Sequence, residues 1–161
     1  MSAEWADAVR TLIVAIGGGL AVAWYQARGH ERAYLFRRRE QAAGVAASTI
    51  QFYYDLPPGL LLETTTSDNY AQLSSEVRRR LAAIRAELWA LSVSYPAKDV
   101  RKVARSLLSP LAGYVGDSLM VVMVQLRLVD GDEAAAVLTC ERRSEEVSDT
   151  LGELMKAIER D

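Results

Sequence analysis

The sequence has very few of the residues that build catalytic and metal centres. Its 161 residues include one cysteine, Cys140, and one histidine, His30. A single cysteine excludes an intramolecular disulfide and is typical of reducing compartments. Together the two residues supply too few ligands for a usual zinc site. We therefore expect no metal and no cofactor, and we interpret Cys140 as a small core residue and His30 as a solvated one.

Motifs of common enzyme classes are also missing. The sequence has no His-Glu-x-x-His pair, no phosphate loop ending in Gly-Lys-Ser/Thr and no Gly-x-Ser-x-Gly. Neither sign of charge dominates, since 19 basic residues face 21 acidic ones. Domains that bind nucleic acid are usually basic, so this balance argues against a nucleic-acid partner. No catalytic residue is predicted, and we expect a non-enzymatic protein.

Charge is absent from one stretch near the N-terminus, Thr11–Tyr25. A membrane-spanning helix needs about 20 mainly apolar residues. The stretch reaches that length if the alanines and the valine just before it are counted and Arg10 extends to the headgroups. Trp5 and Trp24 lie near its ends, where aromatic rings favour the membrane interface. The pattern predicts a single transmembrane anchor over residues 1–27; the alternatives are a cleaved signal peptide, an interfacial helix or a helix buried in a soluble bundle.

Basic residues follow the apolar stretch, whereas Glu4 and Asp7 precede it. The positive-inside rule therefore places the N-terminus outside the cell and the rest of the chain in the cytoplasm. Arginines next to a spanning helix bind anionic lipid. We expect a single-pass protein of the cell membrane, with lipid headgroups contacted by Arg28, Arg32, Arg37, Arg38 and Arg39.

Small residues recur at four-residue steps within the predicted anchor. This spacing allows the backbones of two spanning helices to approach closely. It predicts packing against a second copy, as a homodimer, or against another membrane protein; the alternative is that glycine is simply tolerated there. The residues concerned are Ala15, Gly17, Gly19, Ala21 and Ala23.

The rest of the chain shows apolar residues at helical steps, which predicts an all-α fold. The anchor continues into an antiparallel bundle of about four helices, a cytoplasmic domain over residues 28–161. The first helix runs to Asp55 with an apolar stripe, ends before Pro57, and leads into a long loop. Leucines in that loop either fold back on the core or form an exposed contact. The stripe comprises Phe36, Ala43, Ala47, Ile50 and Tyr54, and the loop leucines are Leu60, Leu61 and Leu62.

Three further helices are predicted. One runs from Tyr70 to Tyr95, with Ser67 or Asp68 as its N-cap. The next carries apolar residues from Val100 to Val129; Pro110 should kink or split it, and its run 119–124 is a strand in the alternative interpretation. For the last helix, Asp130 and Glu133 resemble a capping box.

The last helix carries an apolar seam at three- and four-residue steps, suited to a bundle or to a partner helix. We assign it to a partner helix. The segment 130–161 is acidic and the middle of the chain basic, which predicts ion pairing between them; a basic surface for lipid or nucleic acid is the alternative. The seam residues are Val147, Leu151, Leu154 and Ile158.

These features together predict a membrane-anchored helical interaction or scaffold protein. Its cytoplasmic domain would dock another membrane or cytoplasmic protein, or self-associate. Two alternatives remain open. One is a soluble helical-bundle binding module whose N-terminal helix is buried; the other is an accessory subunit that contributes its span to a larger membrane complex.

Overall fold

The computed structural model describes the backbone of residues 3–161 and the side chains of residues 26 and 28–161. Over that range the chain is all-helical, without a strand, which confirms the all-α part of the predicted fold class. It divides between Arg39 and Glu40 into two units. The five helices are α1 (Ala3–Tyr54), α2 (Pro58–Glu63), α3 (Tyr70–Ser94), α4 (Lys98–Gln125) and α5 (Glu133–Arg160).

Helix α1 is continuous, because no proline interrupts it before Pro57. Within the unit 40–161 its buried face is not the predicted stripe. Ala43 and Ala47 are exposed, and so is Tyr54. The buried face lies one or two positions away, where small side chains allow close packing and Thr49 satisfies its hydroxyl by donating to the Val45 carbonyl at 2.7 Å. It comprises Ala42, Val45, Ala46, Thr49 and Phe52.

The predicted long loop contains a helix. Helix α2 begins at Pro58, whose fixed φ suits the first position of a helix and whose missing N–H costs nothing there. Leu61 is buried and Leu60 is half exposed, so only part of the leucine run packs onto the core. The Thr65 hydroxyl donates to the Leu61 carbonyl and closes the helix end.

Helix α3 follows the predicted periodicity, with Val77, Ile84, Leu88 and Leu91 buried. Its N-cap is Asn69 and not Ser67 or Asp68. The Asn69 amide forms a local clasp instead of a side-chain cap. Its Oδ1 accepts from the Thr66 N–H at 2.7 Å, and its Nδ2 donates to the Thr64 carbonyl at 3.0 Å.

Helix α4 runs through Pro110 without being split. A proline inside a helix costs about 3 kcal/mol. Leu107 and Leu111, on either side of it, are both fully buried, and each contributes about 1.5–3 kcal/mol by burial. The free energy gained by packing these leucines therefore exceeds the cost of the proline. The run 119–124 is helical too, which removes the strand alternative.

By length and composition, α4 is the one described helix apolar enough to cross a membrane. Half of its most apolar stretch is buried inside the chain, and the core helix of a bundle has the same properties. The core formed by α4 also includes buried residues of α1, α3 and α5. The short connections 95–97 and 126–132 make α3, α4 and α5 successive antiparallel neighbours.

Charge pairing between the last two helices has the opposite polarity to the prediction. Arg143 of α5 donates to Asp117 of α4 at 3.4 Å, so the base lies on the helix that was expected to supply the acid. Arg80 of the basic middle pairs with Asp55, after α1, at 2.6 Å. Net charge along the sequence did not identify the partners, because an ion pair depends on which side chains face each other.

Candidate functional site: a tyrosine-lined groove

The main cavity of functional interest is an apolar groove of about 630 Å³ within the unit 40–161. It lies where the end of α1 and the start of α2 meet α4 and α5. Small-molecule and peptide sites are commonly concave, mostly apolar and of this size. We call it the tyrosine groove. It is lined by Tyr53, Tyr54, Pro57, Pro58, Gly59, Leu62, Tyr114, Val121, Gln125, Val137, Cys140, Glu141, Ser144 and Glu145.

Three tyrosine rings form one wall of the groove. The ring centroids of Tyr53 and Tyr114 are 5.3 Å apart and the planes are tilted by 40°. Tyr53 and Tyr54 are also 5.3 Å apart, in an edge-to-face arrangement at 64°. Such contacts stabilise aromatic pairs beyond simple burial. Tyr54 is 64% exposed, so one ring of this cluster is open to solvent.

A hydroxyl network joins the end of α1 to α5. The Tyr53 hydroxyl donates to the Ser144 carbonyl at 3.3 Å and lies 2.8 Å from the Ser144 Oγ. Tyr114 also hydrogen bonds with Ser144 and is almost completely buried. Burial raises the pKa of the Tyr114 hydroxyl above its ordinary value. The hydrogen bonds to Ser144 therefore hold the Tyr53 and Tyr114 side chains, and with them the groove wall, in place.

Cys140 lines the groove, with its thiol 3.5 Å from the Ser118 Oγ. The residue is buried, and burial raises the pKa of the thiol. A nucleophilic cysteine needs the opposite shift, toward the thiolate. The thiol therefore acts as a small, weakly polar core group, which confirms the interpretation made from the sequence.

The rim of the groove is acidic. Glu141 and Glu145 are the only charged residues among those that line it, and both are exposed. They lie one turn apart on α5, so their carboxylates project from the same side of the helix. Neither belongs to the ion pairs of the described residues.

The predicted partner-helix seam of α5 lies elsewhere. Val147, Leu151, Leu154 and Ile158 are all buried in the chain's own core. Their assignment to a partner helix is therefore wrong, because side chains already covered within the chain offer no area for another helix. The bundle packing that the same pattern also suited is what the structure contains.

The arginines predicted to contact headgroups lie on α1 and are exposed, except Arg38, which is half-buried. The Arg37 Nε donates to the Ala33 carbonyl at 3.3 Å. Arg38 donates to the Tyr34 hydroxyl at 3.2 Å and its guanidinium lies 5.3 Å from that ring's centroid. Contact with lipid stays a prediction for all five, Arg28, Arg32, Arg37, Arg38 and Arg39.

The predicted membrane-packing residues fall within α1, but their side chains lie outside the described residues. The same holds for the rest of the anchor apart from Gln26, so its packing stays a prediction. The residues are Ala15, Gly17, Gly19, Ala21 and Ala23.

Among the side chains that the structure describes, no three His, Cys, Asp or Glu residues gather as metal ligands. In comparisons with known proteins, the chain matches no family model, no curated protein and no solved structure.

The tyrosine groove is not apparent from the sequence. The adjacent tyrosines and prolines, Tyr53-Tyr54 and Pro57-Pro58, are visible in the sequence. Their meeting with Tyr114 and Ser144 depends on how α1 and α2 pack against helices 60 to 90 residues away. A local pattern carries no signal for such a long-range juxtaposition.

Proposed function

We propose that this chain is a non-enzymatic, membrane-anchored helical protein whose cytoplasmic bundle docks a partner protein. Residues 1–27 would form the anchor, with the N-terminus outside the cell. The tyrosine groove would be the docking surface. The single observation that carries the proposal is this groove, an open apolar surface beside a closed core.

The chemistry of the groove favours binding over catalysis. The raised pKa values of Cys140 and Tyr114 keep both groups protonated near neutral pH. A protonated thiol is a poor nucleophile, and a protonated phenol is no general base. What the groove offers is aromatic surface and hydrogen-bonding hydroxyl groups, both common in interfaces.

The anchor is supported by the sequence before the bundle and by the segment that follows it. Thr11–Tyr25 is uncharged, and the arginines after it are mostly exposed. Tyr34, Leu35 and Phe36 lie among those arginines, and each is at least 44% exposed. Basic and aromatic side chains together are typical of segments next to a membrane surface.

Alkaline carbonate extraction tests the anchor. We expect the untagged chain to stay in the membrane pellet, and Val14→Arg with Leu20→Arg to release it, because each charge at mid-bilayer costs about 2.5–3.5 kcal/mol. Leu35→Arg, after the predicted span, is the matched control and should stay in the pellet. Recovery of the unmodified chain in the soluble fraction would instead support the soluble binding module.

Orientation is tested with single cysteines in a Cys140→Ala background. Ser148 is exposed on α5, and Ser2 precedes the predicted span. A membrane-impermeant thiol reagent should label Ser2→Cys in intact cells and Ser148→Cys only after permeabilisation. The reverse pattern would contradict the proposed orientation.

A further inference from the structure

We infer that the tyrosine groove receives a segment of a foreign protein partner that carries lysine or arginine beside apolar side chains. The inference rests on the docking function proposed above and names the chemistry of the partner. Its apolar side chains would lie against the wall of Tyr53 and Tyr54, and its cation would lie between the Tyr54 ring and the rim carboxylates.

The charged residues of the groove are all acidic. Of the fourteen residues that line it, the two charged ones, Glu141 and Glu145, are acids. Arg142 lies between them in sequence and does not line the groove; it borders a neighbouring surface that the two glutamates share with Leu138 and Thr139. An anionic segment would meet repulsion at this rim, whereas a cationic one meets two carboxylates.

An exposed aromatic ring lines the same groove as those carboxylates. Tyrosine faces attract lysine and arginine cations within about 6 Å of the ring centroid. Tyr54 presents its ring to solvent, and Pro57 and Pro58 border it with rigid apolar surface. An acyl chain would fill the apolar wall but would make no use of the acidic rim.

The same chain already contains a cation held by a ring and an acid. The Arg80 guanidinium lies 5.2 Å from the centroid of the Phe52 ring and bonds to the Asp55 carboxylate at 2.6 Å. The end of α1 therefore already holds one guanidinium between a ring and an acid. Tyr54 with the rim glutamates offers the same pair of groups to a cation from outside.

A peptide titration on the full chain tests the inference. The probe is a dye-labelled twelve-residue peptide with Lys and Leu at helical spacing; two matched peptides carry Glu for Lys or Ser for Leu. Anisotropy is read in buffer, or in phosphatidylcholine nanodiscs with empty nanodiscs subtracted. We expect the Lys/Leu peptide to bind at least about tenfold more tightly than the Glu/Leu peptide, a difference of about 1.4 kcal/mol.

Variants then locate the binding. Glu141→Gln with Glu145→Gln should weaken Lys/Leu binding by about three- to tenfold, since exposed ion pairs contribute about 0.2–1 kcal/mol each. Asp149→Asn with Glu153→Gln is the matched control: two acids at the same spacing on α5, outside the groove, with less than about a twofold effect. Thermal unfolding checks that each variant keeps its fold.

The aromatic contribution is tested at Tyr54. Tyr54→Ser should weaken binding about two- to fivefold, because an exposed cation–π contact contributes about 0.5–1 kcal/mol, and Tyr54→Phe should restore it. The residue is mostly exposed, so neither change should unfold the bundle.

Several outcomes would overturn the inference. Tighter binding of the Glu/Leu peptide leaves docking in place and removes the basic partner. Affinity that is unchanged by the double glutamine variant removes the groove as the site, and failure of every peptide removes docking as well. If the unmodified chain self-associates in sedimentation and the double glutamine variant does not, the occupant is a second copy and the foreign partner is wrong.

Discussion

Asp132 shows how one residue sets the start of a helix. Its carboxylate accepts a hydrogen bond from the Ala135 N–H at 3.2 Å, as an N-cap should. The sequence pattern had favoured Asp130, two positions earlier. The difference arises at the end of α4, where Arg127 adopts a positive φ of 56° and the Leu128 N–H bonds back to the Met123 carbonyl at 2.9 Å. Because this turn takes up residues after α4, the helix α5 begins later than the sequence pattern predicts.

The cap gives a test at single-residue resolution. Asp132→Ala should lower the free energy of unfolding by about 1 kcal/mol, because an N–H at the start of α5 loses its acceptor. Asp130→Ala should change it by less than about 0.5 kcal/mol, since the residue is exposed and lies outside the helix. Urea denaturation measures both. Equal losses in the two variants would contradict the assignment of the cap.

At the scale of helices, α5 has a buried seam and an exposed face. Leu154 is fully buried, whereas Leu138 on the same helix is 68% exposed. Leu154→Ala should therefore cost about 2–5 kcal/mol of unfolding free energy, and Leu138→Ala less than about 0.5 kcal/mol. If both substitutions were mild, the seam would not belong to the core of the chain.

Several elements could be predicted from the sequence, and the failures have identifiable causes. The seven-residue spacing of Val77, Ile84 and Leu91 predicted a buried face of α3, and the structure contains it. The kink or split predicted at Pro110 is not a break in α4, because the free energy gained by burying its neighbours exceeds the cost of the missing hydrogen bond. The stripe on α1 misled because alanines are numerous, and which of them is buried depends on the helices opposite.

For the molecule as a whole, stability should depend on alkaline pH. Burial raises the pKa values of Cys140 and Tyr114 above their ordinary values of 9.0 and 10.0. Well below pH 9 both the folded and the unfolded chain keep these protons, so the contribution of the two groups to stability is fully present. Above it the unfolded chain ionises first, which favours unfolding by up to about 1.4 kcal/mol per pH unit for each group. The free energy of unfolding should therefore fall as the pH rises.

The double variant Cys140→Ala, Tyr114→Phe isolates this effect. Urea titrations at several alkaline pH values should give a flatter decline than in the unmodified chain, whatever the variant's absolute stability. Lysines and exposed tyrosines contribute equally to both chains, so they cancel in the comparison. Identical slopes would mean that neither proton is held by burial.

The lone thiol that lines the groove has one more consequence, for kinetics. Cys140 lines the groove but is only 3% exposed, so an alkylating reagent reacts with it mainly when the surrounding packing opens briefly. The rate at which Cys140 is modified therefore reports how often the packing opens. A molecule bound in the tyrosine groove would lower the rate of Cys140 modification. Occupancy of the groove can therefore be measured without adding a label to this chain.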